Sequence, residues 1–312
     1  MRTNWIQTGR RITPLFYRRP SGSSLLHLIL LFSLLIPLPA CLFPSCRKID
    51  DGSGLDLVEL QPDSCKICLH FSLDNRICDT LQSAGSLDVL VYQEEGLKPL
   101  RDKRHYDFMP DSIIIYGPKE GLVAVALANY PLELFSCPPQ RFEEAEALVC
   151  EFDSDSPSHP LMSACRSLEP GESGSLKLVP LMSKVKLGEI RNNQKDYIRL
   201  EDPRVFLENA NFGAEILRDG GFRPSELLKT PSVQLPYDIG VFAQWPGTEL
   251  FCYPNDSPEA TIGTPSTVLV FECEIKNQTR QFRIPLHSVR RNTVMYVDIS
   301  VDGPDAFESK VY

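Results

Sequence analysis

Beyond its first forty residues the chain is short of positive charge. It has 312 residues with 32 basic and 41 acidic side chains, a formal net charge of −9. Five arginines (Arg2, Arg10, Arg11, Arg18, Arg19), opposed by no acid, sit in residues 1–40, so the other 272 residues carry a net charge of −14. An acidic body of this kind excludes a nucleic-acid binder, which needs a basic footprint. Tryptophan is nearly absent, with only Trp5 and Trp245. Histidine is scarce too: after the basic leader only His70, His105, His159 and His287 remain, and each reads as a surface or loop residue. There is no GxSxG, HExxH, P-loop or GxGxxG pattern, so no catalytic residue, cofactor, metal or small-molecule substrate is expected. The run Asp153-Ser-Asp155 lacks the glycine and closing glutamate of a calcium loop and reads as a solvated turn.

Long apolar stretches are missing except for one. Leu25–Ala40 (LLHLILLFSLLIPLPA) follows the basic leader and ends on a small residue, the three-part build of a secretory signal. It is shorter than the ~20 residues of a membrane-spanning helix and holds two prolines, which weakens a transmembrane-anchor reading. Leu38-Pro39-Ala40-Cys41 resembles a bacterial lipobox, with cleavage between Ala40 and Cys41 and acylation of Cys41. Cys46 is a rival, with a poorer match at Phe43 and Ser45, and a plain signal peptide cut near Ala40 is the competing reading. The next residues, Arg47–Gly54, are polar and small and read as the start of a lipidated tether over 41–64.

Proline and cysteine are plentiful. Twenty-six prolines favour short strands and loops over long helices. Ten cysteines leave nine if Cys41 is lipidated, so full pairing within one chain is excluded. Cys65 and Cys68 form a CxxC, but they lie on an alternating strand, where positions three apart face opposite sides; a metal site is not expected there. Cys273 lies on the apolar face of a predicted strand and reads as a small buried hydrophobe.

Period-2 alternation predicts strands at Lys66–Leu73, Thr267–Ile275 and Thr293–Val301, and further strands are expected at Leu87–Tyr92, Ser112–Tyr116, Gly121–Ala128, Leu176–Leu187, Arg204–Leu207, Thr248–Tyr253 and Gln281–Leu286. Short helices are predicted at Arg141–Val149 and Ala214–Arg218. The polar stretch Ser167–Ser175 (SLEPGESGS) is the expected domain boundary, giving domains over 65–166 and 176–312. The predicted class is all-β, with antiparallel sandwiches.

The order of several short motifs resembles the fimbrillin superfamily of type V pili, and within it the minor fimbrium anchor subunit family of lipoproteins. The residues that carry this are Ile67–Asp74 (ICLHFSLD), Leu87–Tyr92 (LDVLVY), Val123–Asn129 (VAVALAN), Pro160–Ser163 with Leu176–Leu187, Val205–Asn211 (VFLENAN), Cys252–Asn255 (CYPN), Gly263–Val270 (GTPSTVLV) and Arg291-Asn292-Thr293. The resemblance implies two transthyretin-like β-sandwich domains on a lipid-anchored, surface-exposed subunit at the outer membrane. Its partners would be other fimbrillin-like subunits, met by β-strand exchange, and it would have no enzymatic activity. Ile67–Leu73 is then the candidate removable strand and Arg76 the candidate protease-processing residue. An anchor would keep the strand, and an ordinary loop arginine is the competing reading of Arg76. The alternatives are a shaft or tip fimbrillin cleaved near Arg76, and a surface glycan-binding lipoprotein using Trp245.

Overall fold

A computed structural model describes residues 64–78, 84–118, 120–130, 137–222, 224, 226–241, 243, 247–257 and 265–312, and these described residues form nineteen strands, one short α-helix and two 3-10 turns. Ala40, Cys41, Cys46, nearly all of the expected tether and Trp245 lie outside the described residues. The first strands are β1 (Ser64–Leu73), β2 (Leu87–Gln93), β3 (Leu100–Tyr106), β4 (Ser112–Pro118) and β5 (Leu122–Ala128). Helix α1 (Phe142–Glu146) follows, then β6 (Val149–Glu151), β7 (Met162–Leu168), β8 (Gly174–Pro180), β9 (Ser183–Asn192) and β10 (Glu201–Glu208). Short strands come next: β11 (Ala210–Asn211), β12 (Gly213–Glu215), β13 (Leu227–Leu228) and β14 (Val233–Gln234). The last are β15 (Thr248–Cys252), β16 (Thr267–Ile275), β17 (Gln278–Leu286), β18 (Val294–Gly303) and β19 (Ala306–Val311).

The first eight strands, less β6, form a seven-stranded sheet in the order β3-β2-β5-β7-β8-β1-β4. It curls back on itself: Arg104 on one edge strand donates from Nη1 to the Ile114 carbonyl on the other, at 2.7 Å. The curl encloses Ile67, Leu69, Phe71, Val89, Val91, Ile115, Ala124, Ala126, Leu176 and Leu178. The opposite faces of β2 and β5 are covered as well, by Tyr130, Phe142, Leu181, Ile216, Phe222 and Tyr253. Burial on both faces explains why LDVLVY and LVAVALA read as continuous apolar runs rather than as alternation.

Two four-stranded sheets, β14-β10-β16-β17 and β15-β9-β18-β19, pack face to face as a β-sandwich. Alternate residues of each strand fill the space between them, among them Val205, Leu207, Leu269, Phe271 and Cys273 against Val185, Leu187, Val297, Ile299 and Val301. Burial pushes the Cys273 thiol up to about 12, as suits a core hydrophobe. Most pairings are antiparallel, while β1 with β8 and β9 with β18 are parallel.

Two local expectations are corrected. Residues 214–218 are not a helix, because Gly213–Glu215 pair with Val149–Glu151 and Arg218 closes a turn back to Glu215. Ser167–Ser175 is not a linker between domains: it spans the end of β7, a turn and the start of β8, and β8 then pairs with β1. The chain leaves the first sheet later, at Leu181-Met182, between β8 and β9.

Candidate functional site

Strand β1 is an interior strand of its sheet. It pairs antiparallel with β4 from Ser64↔Pro118 to His70↔Ser112, and parallel with β8 from Leu69↔Gly174 to Leu73↔Leu178. Its inward residues Ile67 and Leu69 are fully buried, and Phe71 is 8% exposed. Its outward residues Lys66 and His70 are exposed and Cys68 partly so, with Cys68 Sγ 3.5 Å from His70 Nε2. Without β1, a cleft would remain between β8 and β4, with two unpaired backbone edges and an apolar floor. Such a cleft takes an extended segment with apolar residues at every second position.

The chain leaves β1 through a short loop. Asp74 N–H donates to the Leu178 carbonyl at 2.9 Å. The Asp74 carboxylate accepts from Lys177, with Nζ at 2.7 Å, and that bond holds its pKa below the usual value. Arg76 lies in this loop with its side chain 67% exposed, 3.4 Å from Asp74. Asn75 Oδ1 accepts from the N–H groups of Ile77 and Cys78 at 3.2 and 3.1 Å, forming a local turn. Ile77 is buried and fixes the far side of the loop.

Two residues from the other end of the chain reach this region. Arg291 donates to the carbonyls of Pro180, Ile216, Arg218 and Val179 and to both oxygens of Ser163, so one guanidinium ties β7, β8 and the turn after β12. Burial lowers its pKa to about 10, which leaves it charged at neutral pH. Asn292, 5% exposed, contacts the loop around Arg76 directly. Both residues lie in the Arg291-Asn292-Thr293 motif; their partners, more than 70 residues away in sequence, gave no signal.

The other expected positions differ in outcome. Cys65 and Cys68 are free thiols, and among the described residues no cluster of three or more His, Cys, Asp or Glu could hold a metal ion. His105 is not a bare surface residue: its Nδ1 lies 2.6 Å from Oδ1 of Asp88, a fully buried carboxylate. That bond raises the His105 pKa, and burial raises that of Asp88. The lone Asp in the apolar run LDVLVY was the signal for a buried partner.

No protein-family model matches the chain, and no curated protein matches it by sequence at a significant level. Solved structures do match. A candidate cell adhesion protein from Parabacteroides distasonis superposes with a TM-score of 0.63 at 13% identity, over 81% of this chain and 97% of that one. A tip fimbrial protein from Porphyromonas gingivalis gives 0.55 at 12% identity, over 80% and 98%. A fimbrilin from the same organism gives 0.57 at 11% identity, over 78% and 92%. The described residues therefore have the fold of fimbrillin-like proteins, which is all-β apart from short helices.

Proposed function

We propose that the chain is a lipid-anchored, non-enzymatic fimbrial subunit of the cell surface, acting as an anchor or accessory subunit. One observation carries the reading: on a fold shared with fimbrial and cell-adhesion proteins, the first strand occupies an interior slot of its sheet and exits through a loop with an exposed arginine. An interior strand followed by a cleavable loop is a slot that a neighbouring subunit's strand can fill, with main-chain bonds for affinity and side-chain pockets for register. Keeping β1 in place protects two edges that would otherwise invite non-specific pairing. Acylation of Cys41 would hold the subunit at the outer membrane, since each buried CH₂ contributes about 0.8 kcal/mol and several chains act together. Residues after Cys41 would serve as the tether, ahead of two sandwich domains that meet near Leu181.

The mature N-terminus tests this reading. Mass spectrometry of the protein from its native membrane is expected to show an acylated Cys41 followed by an intact chain. A mature chain starting at Ile77 would place the protein among polymerised shaft or tip subunits. An unmodified Cys41 inside the mature chain would refute the anchor. Deletion of the gene is expected to change the number, length or attachment of surface fimbriae in electron micrographs, and unchanged fimbriae would refute the fimbrial role.

A further inference from the structure

We infer that Asn292 is a latch that controls proteolytic access to Arg76. The inference rests on the reading of β1 as a strand able to leave its slot. The Asn292 side chain donates from Nδ2 to the Asp74 carbonyl at 2.6 Å and accepts from the Arg76 N–H through Oδ1 at 2.8 Å. These two contacts fix the amide orientation, because reversing it would set donor against donor and acceptor against acceptor. In the extended form that a protease or a partner strand would bind, residues two apart present their backbone groups on the same side. Asn292 therefore satisfies the groups of Asp74 and Arg76 that a partner strand would take. An endoprotease binds its substrate as such a strand, so it must displace the carboxamide before it can engage the Arg76–Ile77 bond.

The latch is itself held firmly. Asn292 adopts a left-handed backbone conformation, φ 54°, which asparagine tolerates better than most residues. Its N–H donates to the Met182 carbonyl at 3.0 Å, and its neighbour Arg291 is fixed by carbonyls on three separate segments, at Ser163, at Pro180 and at Ile216 with Arg218. The Arg76 side chain, by contrast, is 67% exposed and, among the described residues, is held by Asp74 at 3.4 Å. The recognition element is thus on display while the backbone that must be cut is tied to a segment 216 residues away. An exposed loop arginine is an ordinary site of nicking; the latch makes cutting here depend on the junction between β17 and β18 letting go. The reaction is hydrolysis by an arginine-specific endoprotease. Water adds its oxygen to the Arg76 carbonyl carbon, the C–N bond to Ile77 breaks, and the Ile77 amine leaves with a proton.

The test is a digestion time course of the full mature chain with trypsin at low ratio, read by mass spectrometry of each new terminus. Arg199, whose side chain is 63% exposed between β9 and β10, serves as the internal reference. Cleavage follows the population of the open loop when reclosing is fast. Losing two hydrogen bonds should therefore raise cutting after Arg76 about tenfold in Asn292→Ala, with cutting after Arg199 unchanged. Asn292→Asp keeps the acceptor but faces the Asp74 carbonyl with a second oxygen, and should move in the same direction. An unchanged rate after Arg76, or an equal rise at both arginines, would overturn the latch. Should the variants fail to fold, hydrogen exchange on the wild type decides: the Arg76 amide should exchange about a hundredfold slower than an open amide, and an unprotected amide refutes the proposal. If these results hold but the cut chain accepts no strand-forming peptide, the strand-exchange reading fails and the latch stands.

Discussion

Leu69→Ala measures how strongly the first strand belongs to its sheet. Leu69 is fully buried on β1, opposite Ile113 on β4 and Gly174 on β8. Truncating a buried leucine to alanine costs about 2–5 kcal/mol, and the cost depends on how far the surroundings collapse into the space. Here one wall is backbone: a Cβ placed on Gly174 would lie 3.4 Å from Leu69 Cδ2. Backbone on that flank, held by ladder bonds, cannot move in as a flexible side chain could. The expected loss is therefore in the upper half of that range, about 4 kcal/mol. Urea unfolding followed by far-ultraviolet circular dichroism reads it as a midpoint lowered by more than about 1 M with an unchanged slope. Lys66→Ala, on the outward face of the same strand, should stay within about 0.5 kcal/mol of wild type. A Leu69→Ala loss below about 1 kcal/mol, or one equal to that of Lys66→Ala, would mean that β1 is not an integral strand.

The Asp88–His105 pair predicts a pH dependence. Its folded-state pKa values are both raised, so the folded chain holds more protons than the unfolded one; the His105 contribution is complete below about 6.5 and is lost as pH rises through the folded value. The wild-type Tm should fall as pH rises above that point and His105→Gln should remove this part of the slope; parallel curves for the two proteins would contradict it. Arg291→Met leaves the carbonyls of Pro180, Ile216 and Arg218 without their donor and should cost about 3 kcal/mol in urea unfolding, with a loss below about 1 kcal/mol contradicting the bracing role.

Strands β1, β16 and β18 were legible because their alternation matched their burial, while β2 and β5 showed as continuous apolar runs. Thr267–Ile275 is β16 to the residue, and the expected bounds of β1, β2 and β5 fall within two residues of the strands. Strand β3 (LRDKRHY) escaped because an edge strand with charges on both faces carries no apolar period; its partner β2 supplies the pairing. Strand β19 escaped for a similar reason, with only Phe307 and Val311 against the core. The false helix at 214–218 arose where three residues pair with β6, a contact that no local pattern reports. At the candidate site, β1 was readable from its alternation, while Arg76 stood out only through the family resemblance. The Asn292 clamp was not, because a side chain bonding 216 residues away leaves no trace in local spacing.

The central claim is that the slot of β1 can be filled by a separate strand. The direct measurement cuts the purified chain after Arg76, removes the released segment, and adds a synthetic peptide of Ser64–Leu73. Saturable one-to-one binding that restores the Tm of the uncut chain is the expected result. A cut chain that keeps its full Tm without the peptide, or that gains nothing from it, would contradict the account.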